Sequence, residues 1–262
     1  MSTTLLEFDD VSKSFGGLRA VDRLNLRLLE GQIFGLIGPN GAGKTTVFNL
    51  ITGIYRPEEG RIHWLGADIT RYPPHRIAGL GILRTFQNIR LFAGHTVAGN
   101  VLVGLHLKTR QSWMAGLLGT PAQRREEKNL WRRTWELLEE HQLAGVGNEI
   151  ATSLPYGIQR RVELARALAA EPRLLILDEP AAGLNEQESA ALNQAIFDIR
   201  DRGISILLIE HDMNVIMRVT DHIAVLNFGR KIAEGAPETI RNNPEVIEAY
   251  LGREEEEEEG DL

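Results

Sequence analysis

Residues 38–46, GPNGAGKTT, combine the residue types that bind the phosphates of a nucleotide. The segment fits the pattern G-x-x-x-x-G-K-[ST], with Gly38, Gly43, Lys44 and Thr45 at the required positions. Glycines let the backbone turn tightly and bring its N–H groups close to phosphate oxygens. We expect Lys44 to bind the β- and γ-phosphates and the Thr45 hydroxyl to face Mg²⁺. The other loop residues expected to contact the nucleotide are Asn40, Gly41, Ala42 and Thr46.

Two adjacent acids follow an apolar run later in the chain. Residues 174–177 are all apolar, Asp178 and Glu179 come next, and Pro180 ends the predicted strand. P-loop ATPases hold Mg²⁺ with an acid in this position, so Asp178 is a candidate for the metal site. Glu179 points elsewhere and is a candidate general base for the attacking water. The alternative, two solvated loop acids, is weakened by the buried strand that precedes them.

Three other side chains are candidates that spacing alone does not decide. His211 follows the next apolar run, where a neutral imidazole could bind the γ-phosphate, although a single histidine is as often structural. Gln87 could bind Mg²⁺ through its side-chain carbonyl oxygen, but its spacing does not distinguish it. Phe15 could stack on a flat base, yet its spacing alone favours a core position.

The elements that must position these residues are those of a parallel α/β sheet. Residues 32–37 predict a short buried strand before the phosphate loop, and residues 47–51 predict a helix after it. The apolar runs at 174–177 and 204–209 are typical of central parallel strands buried on both faces. Because ligands bind at the carboxyl ends of such strands, the two acids and the histidine should lie beside the phosphate loop.

Two further parts differ from this α/β pattern. Residues 5–11 and 24–28 alternate apolar with polar side chains, which predicts half-buried antiparallel strands. Beyond residue 124 the helical i, i+3, i+4, i+7 spacing predicts an inserted helical subdomain; its apolar face contains Leu130, Trp131, Thr134, Leu137 and Leu138. The expected organisation is an ATPase core at 1–88 and 154–252, a helical subdomain at 89–153 and an acidic disordered tail at 253–262.

Composition limits the classes of function. Residues 254–262 carry seven negative charges, which equals the net charge of −7 over all 262 residues, so the body is close to neutral. A neutral body gives no support for nucleic-acid binding. No apolar run approaches the roughly 20 residues of a membrane-spanning helix, and we expect no signal peptide. The absence of cysteine excludes disulfides and is compatible with a cytosolic protein.

From residue 5 to about 252, the chain resembles the ATP-binding subunits of ABC transporters. The phosphate loop, Gln87, the two acids, residues 182–185 (AGLN) and His211 occur in the order of that family. The resemblance implies a P-loop NTPase core of the ABC type, with ATP and Mg²⁺ as ligands. It also implies that Phe15 stacks on the base, which reverses the preference from spacing alone.

The resemblance also implies the roles of the polar residues. Glu179 would be the catalytic base, and His211 would sense the γ-phosphate. Mg²⁺ would be linked to Thr45, Gln87 and Asp178.

One motif departs from the family. Where the family commonly has LSGGQ, this chain has LPYGI at residues 154–158, so Pro155 removes both a hydroxyl and a backbone N–H. Gly157 and the start of a helix remain and keep some affinity for anions. We expect Tyr156 and Gly157 to contact the nucleotide bound by a second ATPase chain.

This departure resembles the subunits that serve branched-chain amino-acid importers, as do residues 209–215 (IEHDMNV) and 249–252 (AYLG). The resemblance implies two transmembrane permease subunits, a second and different ATPase subunit, and indirectly a periplasmic or extracellular solute-binding protein. It implies a peripheral location on the cytoplasmic face of the cell's inner membrane. The weakened signature favours two different ATPase chains, because a homodimer would carry the defect twice.

Three alternatives remain open at this stage. Related importers carry urea, amides or other neutral amino acids. A soluble ABC ATPase acting on nucleic acid or ribosomes would need the long coiled coils or the paired ATPase units that this chain lacks. A small-molecule P-loop kinase would not explain Gly157, Leu184 and His211 together.

Overall fold

The computed structural model describes residues 3–85, 89–106, 121–210 and 213–250, with side chains described except at 121–123 and 214. The chain divides into two compact units, residues 1–84 with 173–262 and residues 85–172. Among the predicted features, Gln87, His211 and the acidic tail lie outside the described residues.

Among its described residues, the first unit contains ten strands in two sheets. The strands are β1 Thr4–Phe15, β2 Leu18–Leu29, β3 Ile33–Ile37, β4 Glu59–Trp64, β5 Ala67–Asp68, β6 Ile82–Arg84, β7 Leu174–Asp178, β8 Ser205–Ile209, β9 His222–Asn227 and β10 Arg230–Gly235. One sheet has the order β2-β1-β4-β5, and the other has the order β10-β9-β3-β8-β7-β6. β1 pairs antiparallel with β2, which confirms the prediction for the N-terminal strands.

The six-stranded sheet is parallel except at its β9–β10 edge. Every residue of β3, β7 and β8 is buried, as the apolar runs predicted. β8 lies between β3 and β7. The carboxyl ends of the three strands are therefore adjacent, and the segments that follow them carry the phosphate loop, the two acids and residue 211.

The helices of the first unit are Lys44–Ile51, Pro74–Gly79, Glu186–Asp201, Met213–Val219 and Pro237–Arg241, and residues 244–250 are also helical. Its core joins both sheets, since Phe8 of β1 and Phe34 of β3 are buried in one cluster with Phe48 of the first helix. In the described part of the chain, no helix is both long enough and apolar enough to span a bilayer.

The second unit is built from the helices Val97–Leu105, Pro121–Glu140 and Tyr156–Ala169. Thr134, Leu137 and Leu138 are buried as the helical spacing predicted, whereas Trp131 is exposed. The unit also includes residues 154–172, which the sequence assigned to the core. The reason is packing, because Val162 of the helix Tyr156–Ala169 shares a buried cluster with Val101 and Leu138.

Candidate functional site

The phosphate loop is packed closely against neighbouring backbone at Gly38 and Gly43, the two glycines of the G-x-x-x-x-G-K-[ST] pattern. Gly43 has a φ of 104°, and a Cβ there would lie 2.4 Å from the carbonyl oxygen of Ala20. A Cβ on Gly38 would lie 2.1 Å from the carbonyl oxygen of Leu226. Both positions therefore require glycine. The loop is thereby packed between the start of β2 and the end of β9.

Lys44 is the first residue of the helix that follows the loop. Its Nζ donates to the carbonyl oxygens of Gly38 at 2.5 Å and Pro39 at 3.0 Å. The side chain is 9% exposed. The loop thus holds the ammonium group within its own curve, where a phosphate oxygen can replace a carbonyl as the hydrogen-bond acceptor.

An open cleft of about 370 Å³ lies over this loop. Its lining residues are Phe15, Leu18, Arg19, Ala20, residues 40–46, Glu179, Phe228 and Gly229. Phe15 is 42% exposed. Its ring meets Tyr55 edge-to-face at 5.0 Å between centroids, and the ammonium of Lys13 lies 5.3 Å from the ring centre. The structure therefore brings together Phe15, the phosphate loop and Glu179 around one space.

Asp178 ends β7 and is engaged by an arginine that the sequence did not single out. The Nη2 of Arg84, the last residue of β6, lies 2.6 Å from the Asp178 Oδ2. Arg84 Nη1 donates to the side chain of Asn49 at 3.0 Å, and its guanidinium lies 5.1 Å from the ring centre of Phe48. The arginine thus joins the helix after the phosphate loop to the strand that carries Asp178. No local sequence signal indicated this pairing, because the two residues are 94 positions apart.

Glu179 turns away from the strand direction of Asp178. Its φ of 45° is a left-handed value that non-glycine residues rarely adopt. Its backbone N–H donates to the carbonyl oxygen of Ile209 at 2.9 Å, which fixes the turn against the end of β8. Strain of this kind is common where a side chain must be aimed at a functional site. Glu179 lines the cleft over the phosphate loop.

The loops after β7 and β8 are also joined through Glu210, which is 1% exposed. Its Oε1 accepts a hydrogen bond from the backbone N–H of Ala181 at 2.8 Å. This buried carboxylate directly precedes His211 in the chain. Sequence reasoning missed its role because an acid at the end of a strand does not reveal which loop it binds.

A tyrosine near the C-terminus reaches the phosphate loop. The hydroxyl oxygen of Tyr250 is buried. Burial raises its pKa to about 12, and the nearby N–H of Gly38 offsets part of that rise. Tyr250 is part of the AYLG motif at residues 249–252, and its hydroxyl lies near Gly38 without a hydrogen-bond partner among the described residues.

The variant signature belongs to the second unit. Pro155 is the N-cap of the helix Tyr156–Ala169, and its carbonyl oxygen accepts from the N–H groups of Ile158 and Gln159. Tyr156 is exposed at this helix start. The same helix is anchored by a buried ion pair between Arg160 and Glu163, 2.7 Å apart.

The residues that could bind Mg²⁺ have suitable chemistry. Thr45 lines the cleft and Asp178 offers a carboxylate, and Mg²⁺ prefers such oxygen ligands. Within the described ranges, no group of three or more His, Asp or Glu side chains could hold a metal ion alone. A magnesium ion at this position would therefore depend on phosphate oxygens as well, which is its usual mode of binding at nucleotide sites.

Comparison with known families agrees with this arrangement. Residues 21–182 match the family described as ABC transporter. Residues 230–256 match the family described as branched-chain amino acid ATP-binding cassette transporter.

Individual relatives are similar over nearly the whole chain. The high-affinity branched-chain amino acid transport ATP-binding protein BraF of Pseudomonas aeruginosa is 48% identical over 253 residues, which cover 96% of this chain and 99% of BraF. The corresponding protein LivG of Escherichia coli is 46% identical with the same coverage. A crystal structure of an ATP-binding cassette of an ABC transporter in its ADP conformation has a TM-score of 0.82 and 30% identity, covering 95% of this chain and 99% of that one.

Proposed function

This chain belongs to the ABC transporter family of ATP-binding subunits, and we propose that it powers a membrane importer of branched-chain amino acids. The solute is inferred from BraF and LivG, whose names give branched-chain amino acid transport. The match of residues 230–256 supports the same solute class. Nucleotide binding itself follows from the family.

The observation that carries the proposal is the cleft over the phosphate loop. Phe15 and Glu179 line the same cleft as Lys44 and Thr45. A triphosphate on the loop would therefore have both an aromatic ring and a carboxylate among the residues around it. This is the arrangement needed to hold ATP and to hydrolyse its terminal phosphate.

The chemical roles follow from these positions. The loop N–H groups and the Nζ of Lys44 would bind the phosphate oxygens and stabilise the charge that develops during transfer. Glu179 would accept a proton from the water that attacks the γ-phosphorus, while the bond between that phosphorus and the β–γ bridging oxygen breaks. Thr45 and Asp178 would bind Mg²⁺ together with Gln87, which lies outside the described residues. The bound ion would neutralise phosphate charge. His211 would orient the γ-phosphate.

The transporter context adds the partner chains. Tyr156 and Gly157, at the start of a helix, would contact the nucleotide of a second and different ATPase subunit. Two transmembrane permease subunits would bind the pair on the cytoplasmic face of the inner membrane, where both ATPases are peripheral. A periplasmic or extracellular solute-binding protein would act on the permeases and only indirectly on this chain.

Purification from native membranes tests this context. We expect a tagged copy of the chain, isolated in mild detergent, to recover two permease subunits and a second ATPase. Recovery of ribosomes or nucleic acid without a membrane protein would contradict the transport function. Solute-stimulated ATPase activity of the recovered complex, compared for leucine, urea and short amides, would then distinguish the solute classes.

Glu179→Gln tests the catalytic assignment. We expect ATP binding to be retained and hydrolysis to fall by about 100-fold or more, because the general base is removed while the side-chain volume is kept. Glu139→Gln, an exposed position in the second unit, is the matched control and should hydrolyse ATP normally. Turnover in Glu179→Gln close to that of the control would refute the role of Glu179.

A further inference from the structure

The turn between β9 and β10 contains an unusual residue. Asn227 pairs with Arg230, so the turn consists of Phe228 and Gly229 alone. Their φ values are 45° and 78°, as in a type I′ hairpin turn, where both central residues have positive φ. Such turns favour Asn-Gly, and a bulky residue at the first position is conformationally disfavoured. Phe228 therefore occupies a position that its backbone does not favour.

The side chain of Phe228 is mostly outside the core. Phe228 is 70% exposed, and it lines the cleft over the phosphate loop together with Phe15. A second turn provides a comparison, because Leu65 and Gly66 between β4 and β5 have φ values of 49° and 79°. Leu65 is only 37% exposed and does not line the cleft. Backbone strain thus occurs at both turns, and of these two turn residues Phe228 lines the nucleotide cleft whereas Leu65 does not.

Hydrogen bonds fix this turn to the phosphate loop. The N–H of Gly229 donates to the carbonyl oxygen of Ala42 at 2.9 Å, and the N–H of Asp22 donates to the carbonyl oxygen of Gly229 at 2.9 Å. Arg230 Nε lies 2.7 Å from the Asp22 Oδ2. The aromatic ring is therefore carried by a turn whose position is set by the loop that binds the phosphates.

We propose that Phe228 is a second aromatic residue, in addition to Phe15, that binds the base of the nucleotide in this cleft. The chemistry is contact of a flat π-system with a purine, which aromatic side chains stabilise without hydrogen bonds. The inference rests on the proposed function, since it names a further determinant of nucleotide affinity at the same site. It also explains why a phenylalanine stands where asparagine would suit the turn.

The variant Phe228→Asn separates the effect of Phe228 on the turn from its effect on nucleotide binding. Asparagine suits the type I′ turn, so we expect the melting temperature of the full chain to rise. We expect its affinity for ATP to fall about tenfold, which is within the range for loss of one base–aromatic contact. Affinity for inorganic tripolyphosphate, which has no base, should be unchanged when both ligands are titrated with Mg²⁺ by calorimetry. Phe228→Trp should retain the affinity for ATP.

Leu65→Asn is the matched control, because it makes the same change in the same type of turn outside the cleft. We expect it to raise the melting temperature and to leave the affinity for both ligands unchanged. If Phe228→Asn binds ATP as tightly as wild type, or loses affinity equally for ATP and tripolyphosphate, the proposal for Phe228 is refuted. Wild-type protein that binds neither ligand would instead refute the proposed ATPase function.

Discussion

Arg84→Met is expected to destabilise the first unit strongly. Arg84 and Asp178 are paired at 2.6 Å, and their side chains are only 12% and 10% exposed. Removing one partner of a buried ion pair leaves the other charge unpaired, which costs about 3–5 kcal/mol. Methionine keeps much of the aliphatic stem of arginine and removes the guanidinium that lies 5.1 Å from the ring centre of Phe48. We therefore expect a loss of about 3–4 kcal/mol in the free energy of unfolding, within that range.

Urea unfolding of the full chain measures this effect. Trp64 is buried in the first unit, and its fluorescence reports unfolding of that unit when Trp113, Trp131 and Trp135 are replaced by phenylalanine in every variant compared. Arg173→Met is a matched control, because Arg173 pairs with Glu30 at 2.8 Å but the two side chains are 51% and 43% exposed. An exposed pair of this kind contributes about 0–1 kcal/mol. The two variants therefore remove ion pairs of similar length that differ in burial.

The double variant Arg84→Met with Asp178→Asn completes the test. It removes both charges, so it should be more stable than the sum of the single changes predicts. The reasoning is refuted if Arg84→Met and Arg173→Met cost the same, or if the double variant shows no such recovery. The cycle also bears on studies of the metal site. Asp178→Asn alone would leave Arg84 charged and buried, so its effect on activity would combine lost metal binding with lost stability.

Two further predictions concern stability. Burial raises the pKa of Asp22, but the hydrogen bond from Arg230 and the charges of Arg19, Arg230 and Arg23 outweigh it and hold this pKa below its ordinary value of 3.8. The ionised carboxylate therefore stabilises the fold at neutral pH, and that contribution is lost as the pH falls below 3.8 through the lowered pKa. The gap in urea midpoint between wild type and Asp22→Asn should therefore narrow as the pH falls below 3.8, and a constant gap would contradict this. Asn185 caps the helix Glu186–Asp201 in a reciprocal capping box with Glu188, so Asn185→Ala should cost about 1 kcal/mol in chemical unfolding, whereas an unchanged midpoint would show that the cap contributes nothing.

The main elements of the fold were predictable because their signals are local. The buried strands β7 and β8 are mostly apolar runs. In β1 and β2, apolar and polar side chains alternate, as expected for antiparallel strands with one solvent-exposed face. The phosphate loop could be located because its glycines and lysine are close together in sequence. The boundary of the helical unit was harder, since the helix Tyr156–Ala169 packs against the helix Val97–Leu105, about 60 residues earlier.

The missed site residues share a different property. Arg84 and Asp178 are 94 residues apart, and Glu210 bonds a backbone group 29 residues earlier. Such pairings depend on the order of strands in the sheet, which short-range patterns do not specify. Phe228 was not predicted as a site residue, because its place at the cleft depends on the hydrogen bond between Gly229 and Ala42.

The buried hydrogen bond between the Glu210 carboxylate and the Ala181 N–H couples the loops after β7 and β8. Any displacement of Ala181 must either break a 2.8 Å hydrogen bond or carry Glu210 with it, and Glu210 is the residue from which the His211 segment departs. A movement that begins beside Glu179 is thus coupled to the neighbouring loop through this hydrogen bond. We therefore expect the loops after β7 and β8 to move together.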